Sequence, residues 1–263
     1  MSLSLPGGRM NAAARLITEV NHHLFEATPR ETHGGPDVQV ARRVHTRCLT
    51  RYQAIGLLLA FDQPDDGFAL LRGLLGDSQR LQAMASRPMQ RLGLALGWMD
   101  AAVSDLESRA MTAGAVGQTS FAAGIRSIVD VTRDAQRHVQ RELGVAKFLR
   151  LPGEGKPLAL ATGHPEDHLD YVIASDPAHG ALPTALWHDR GREGANGEPA
   201  GIVIGTNDPG WRNTVAERAT RHIVRATWAM ADVCGLPSAP DLRAYGDDIE
   251  RRLDVEELPE ADE

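Results

Sequence analysis

Three groups of side chains in this 263-residue chain have types and spacings that could do chemistry. The first is Arg133-Asp-Ala-Gln-Arg-His138. A histidine near neutral pKa can take or give a proton while a 2′-hydroxyl attacks, and an arginine can hold the phosphate and stabilise the developing charge. Five residues of helix separate the two by about 140°, on the polar side of the helix that carries them. For the pair to form an enclosed site, a partner protomer would have to cover that face. The plainer alternative for the pair is a solvated helix face.

The second group is Tyr171, Ser175 and His179 in YVIASDPAHG, which approach one another at the junction of two short helices. Asp176 before Pro177 is placed to cap the second helix, leaving His179 in its first turn, where the helix terminus lowers a histidine pKa. Neutral His179 is then a candidate base, with structural packing as the alternative. The third group is embedded in apolar faces. Arg72 sits at the margin of a leucine stripe in LLRGLLGD; Arg51 falls beside Val44, Cys48 and Ile55; His222 falls among Trp211, Val215, Ala219, Ala226 and Val233. A buried arginine needs a carboxylate or carbonyl partner, so Arg51 and His222 are read as binding or network positions. Arg72, Tyr171, Ser175 and His179 together form an alternative catalytic set, a hydrolase pocket. Asp167, His164 and His168 invite a metal, but His164 precedes the helix, so no metal set and no cofactor are expected.

The Arg133–His138 spacing resembles the Arg-polar-x-x-x-His signature of the HEPN group, small helical ribonucleases that include toxins and defence proteins. That resemblance implies RNA as the substrate and a homodimer, with a composite site built from Arg133 and His138 of two protomers. Separately, RYQAIGLLLA, DDGFALLRGLLGDSQRL and DYVIASDPAHGA resemble an uncharacterised helical family of bacterial and phage proteins. The likeness spans about residues 40 to 235. That family carries a leucine-rich helix centred on arginine and a later Tyr-x-x-x-Ser-x-x-x-His element, which fall here on Arg72 and on Tyr171, Ser175 and His179. Where the family has Glu four residues after its arginine, this chain has Gly76, with Asp77 next. The resemblance implies helical architecture.

Helical periodicity supplies the elements that must position these residues. It predicts a mainly α fold, a bundle of about six to seven helices: about 10–25, 38–61, a third with Phe68, Leu71, Leu74, Leu75 and Leu81, a fourth to about 111, a long helix over 120–148, a short one over 164–175, and a last one opened by Asp208-Pro209 and stopped by Gly235. On the 120–148 helix the apolar stripe reads Phe121, Ile125, Ile128, Thr132, Ala135, Val139 and Leu143. Residues 185–188 and 200–205 are expected to pair as a small β-hairpin across the 11-residue loop DRGREGANGEP.

Charge divides the chain. Asp241 to Glu263 holds ten acidic residues against Arg243, Arg251 and Arg252, which accounts for the whole net charge of −7. A neutral body exerts no general pull on nucleic acid, and an acidic tail is commonly a partner-binding segment. The organisation expected is an N-terminal helix and loop (1–37), a bundle domain (38–237) and a mobile acidic tail (238–263) that could engage a protein partner, with room in it for a short helix around Asp247 to Leu253 that buries little. Two cysteines, Cys48 and Cys234, are too few for a disulfide framework, and the longest apolar run, 55–61, is far short of a bilayer span. With no signal-like N-terminus, a cytoplasmic protein without membrane contact is expected. A non-catalytic interaction or regulatory module, held by an internal polar network, is the competing reading.

Overall fold

The computed structural model describes residues 11–28, 34–144, 148–149, 164, 167–178 and 209–255. Among these residues the chain is mainly helical: α1 (Ala12–Ala27), α2 (Pro36–Ala60), α3 (Pro64–Ala85), α4 (Arg91–Ala115), α5 (Thr119–Glu142), α6 (Asp167–Ala178), α7 (Pro209–Cys234) and α8 (Ala239–Val255), with a 3-10 turn at Pro88–Gln90. No strand occurs among the described residues; 185–205, where a hairpin is expected, lie outside them. None of the described helices is long and apolar enough to cross a membrane.

Local chemistry sets the helix ends. The Asn11 side chain accepts from the Ala14 amide at 2.9 Å and caps α1. Pro36 and Pro64 stand in the first turns of α2 and α3, where a missing N–H costs nothing, and Asp37, Asp65 and Asp66 face the positive helix termini. Gly117 at φ +80° and Gly235 at φ +60° take the left-handed conformation that ends α4 and α7.

α3 is the central element, lying against α2, α6 and α7. Phe68, Leu71, Leu74, Leu75 and Leu81 are completely buried along it, each worth about 1.5–3 kcal/mol relative to exposure. One core joins α1, α2, α3, α6, α7, α8 and the first turns of α4. Two segments expected to stand apart belong to it. α1 contributes Ile17, Val20 and Leu24, and the acidic segment after 238 forms α8, with Leu242 and Ile249 buried and the Trp228 indole donating to the Leu242 carbonyl at 3.1 Å. Helical spacing of Leu242, Ile249 and Leu253 outweighs the acidity of the exposed face, so this segment is packed as far as α8 extends.

A second, smaller core holds α4 to α5: Val103, Ala110, Ile125 and Val129, with Leu106 against them. Only the start of α4, through Leu94 and Ala95, enters the main core. The chain returns past this junction at Leu149, whose amide donates to the Gly93 carbonyl at 3.0 Å. A Cβ on Gly97 would lie 2.0 Å from the Leu149 carbonyl oxygen, so only glycine permits that crossing.

Candidate functional site

Two arginine-rich layers occupy the interior. In the first, Asp77 of α3 is 1% exposed and takes guanidinium groups from three directions. Arg47 binds it bidentately, with Nε at 2.6 Å; Arg51 bridges it to the Gly73 carbonyl; Arg80 reaches it from the next turn of α3. Arg47 and Arg80 also lie over the Trp98 ring, at 5.4 and 5.3 Å from its centroid. The carboxylate expected for Arg51 is thus Asp77. Arg72, five residues before Asp77 and turned away from it, instead receives Tyr171: its NH2 donates to the Tyr171 hydroxyl at 3.1 Å and the guanidinium stacks 5.3 Å over that ring.

The second layer joins α6 to α7. Asp167 and Asp170, one turn apart on α6, are buried. Arg218, His222 and Arg225 follow at four- and three-residue intervals on one face of α7, and the two rows meet in register. Arg218 pairs with Asp170, His222 Nε2 lies 3.0 Å from the same carboxylate, and Arg225 donates to Asp167 at 2.9 Å. Gln79 of α3 points its Nε2 at Asp167 from 3.4 Å, and Ser78 donates to the His222 carbonyl at 2.9 Å. Burial alone would raise the Asp170 pKa; the His222 hydrogen bond and the charges of His222, Arg218 and Arg225 more than offset it and hold the carboxyl below its ordinary value.

Asp167, Asp170 and His222 each offer a ligand atom within 4.8 Å of the others. Both carboxylates are already balanced by guanidinium groups, so a dication would add unneutralised charge to a buried place. The arrangement therefore acts as an ion-pair clamp that holds α6 on the bundle. Ser175 adds to α6 by donating to the Tyr171 carbonyl at 2.6 Å. His179 lies outside the described residues.

Two further buried polar pairs cross the core. Thr227 and Thr220 donate to the carbonyls of Ile223 and Ala216 one turn earlier, leaving their oxygens to accept from His45 Nε2 at 2.8 Å and from the Tyr52 hydroxyl at 2.7 Å. His45 thereby keeps its proton on Nε2, and burial drives its pKa down to about 4.

Arg133 and His138 lie elsewhere, on α5. Both are exposed, and Arg133 reaches across to Glu107 of α4 at 2.6 Å. They diverge. Arg133 flanks the α4 contact, whereas His138 continues a row of exposed residues on the far side: Phe121, Gly124, Ile128, Val131 and Ala135. Phe121, Ile128 and Val131 are 62%, 56% and 68% exposed. The apolar stripe read from sequence is therefore split. Ile125, with Ala122, Val129 and Gln136, turns inward to α4, while Phe121, Ile128 and Leu143 stay outside, because the apolar arc is wider than one neighbouring helix covers.

Sequence reasoning missed Asp77, Asp170, Arg218 and Arg225 as members of these layers. The signal available for the clamp was the matching of an i, i+3 acidic pair to an i, i+4, i+7 basic row. Comparison with protein-family profiles, curated proteins and solved structures gives no match.

Proposed function

We propose that this chain is a non-catalytic helical interaction module whose contact surface is the uncovered row on α5. The observation that carries this reading is the exposure of Phe121, Ile128 and Val131 at helical spacing on a two-helix projection with its own small core. Contiguous apolar surface of this kind marks association sites. The internal groups with catalytic chemistry are engaged in holding helices together: Arg51 on Asp77, Arg72 on Tyr171, His222 on Asp170. Neutral, buried thiol and imidazole groups at Cys48 and His45 fit a packing role and a reducing, cytoplasmic setting.

A HEPN-like ribonuclease in a toxin or defence role is the second reading, favoured by the accessibility of both Arg133 and His138 on one helix. The purified full-length chain, incubated with total RNA beside Arg133→Ala and His138→Ala, separates the two. Intact RNA in all three samples is expected. Cleavage by the parent that both substitutions abolish would replace the module with the nuclease.

A further inference from the structure

The exposed row on α5 runs Phe121, Gly124, Ile128, Val131, Ala135, His138, with intervals of three, four, three, four and three residues. That alternation is the a/d seam of a coiled-coil helix pair, and a single helix presenting such a seam requires another helix to fill the holes between its side chains. Its order also reads alike in both directions: an aromatic ring, a small residue, a β-branched residue, then a β-branched residue, a small residue and an aromatic ring.

Such a palindrome matters because a two-fold contact is self-complementary, residue i meeting j while j meets i. An unrelated partner helix would impose no such order. We propose that α5 packs against α5 of a second copy, antiparallel, about a two-fold axis passing between Val129 and Asp130. This rests on the reading of the α5 row as the contact surface and names its occupant.

In that register Ile128 meets Val131 of the second copy, Gly124 meets Ala135, and Phe121 meets His138, each contact occurring twice. A Cβ added at Gly124 would have no neighbour within 4 Å inside its own chain, so the space beside the small pair is open to the incoming helix. The two helices overlap over nearly their full length of about 36 Å. Charge agrees with the register. Asp134, on the open flank of the seam, comes opposite Ser127, the other flank brings Ile125 opposite Thr132, and no like charges face each other across it. Together with α4 of each copy, the pair forms a four-helix bundle at the usual shallow crossing angle. Arg133 stays on its Glu107, so this pairing does not join Arg133 to His138 of the other copy.

Light scattering on the full-length protein is expected to give twice the 28.4 kDa chain mass, falling to the single mass on Ile128→Glu with an unchanged helical circular dichroism spectrum. Orientation is read by cysteines. Gly124→Cys with Ala135→Cys in one chain is expected to give a covalent dimer under mild oxidation, above the background of the parent with its native cysteines. Either change alone is expected not to, since two copies of residue 124 stand about 16 Å apart along an antiparallel pair and side by side in a parallel one.

A parent that stays a monomer at submillimolar concentration overturns the pairing, as does a dimer indifferent to Ile128→Glu. Single cysteines that link as well as the double overturn the antiparallel register. If Ile128→Glu unfolds the chain, the cysteine series decides alone. The proposals fail separately: a monomer inert toward RNA leaves the module without this partner, whereas a dimer that cleaves RNA through Arg133 and His138 keeps the pairing and loses the module.

Discussion

Asp77 is the residue on which most depends. Three guanidinium groups converge on its two oxygens, and removing that charge leaves them crowded against one another. Asp77→Asn is therefore expected to cost about 3–5 kcal/mol, whereas Arg47→Ala, at a half-exposed side chain, should cost below about 1 kcal/mol; urea midpoints measure both. His45 supplies a pH dependence whose sign is fixed. The folded chain holds it neutral down to pH about 4, while the unfolded chain takes up the proton near its ordinary pKa of 6.5. The stability it contributes is whole above pH 6.5 and is lost as pH falls toward 4, amounting to roughly 3 kcal/mol. Asp170, held low, adds a loss of the same sign at the acid end. His45→Phe should flatten the decline of the urea midpoint between pH 6.5 and 4; an unchanged slope would assign it to other groups.

At the level of elements, α6 depends unusually on charge. It places Ala174 in the main core, while Asp167, Asp170 and Tyr171 fasten it to α3 and α7. Asp167→Asn combined with Asp170→Asn is expected to raise amide hydrogen exchange across α6 by tenfold or more while leaving α2 and α3 protected. Equal deprotection of all three would mean that the clamp supports the whole bundle. The helices themselves were legible in the sequence because Pro36, Pro64, Pro88, Pro209, Gly117 and Gly235 punctuate strong apolar periods. α8 was underestimated because ten acidic residues, five of them its own, dominate the composition of 241–263, although Leu242 and Ile249 already lie on one helical face. The clamp was illegible for a different reason: its halves stand some fifty residues apart, and only tertiary packing decides which acid meets which base.

Among the described residues the molecule has two hydrophobic cores of unequal size that share α4: its start enters the larger through Leu94 and Ala95, and its later turns carry Val103 and Ala110 of the smaller. The sequence predicted the helices of both and assigned α5 a single buried stripe; how far one neighbour covers that stripe is a property of the assembled bundle. The small α4–α5 core holds four buried apolar residues, so this projection is expected to open independently and below the free energy of global unfolding. Limited proteolysis should cut first near Gly114–Gln118, with the bundle fragments persisting. Paired α5 helices would slow that first cut, and the protection would depend on how much chain is present. With α5 paired as proposed, the divided core would tie the rate of that first cut to chain concentration, and dilution below the pairing threshold would restore it.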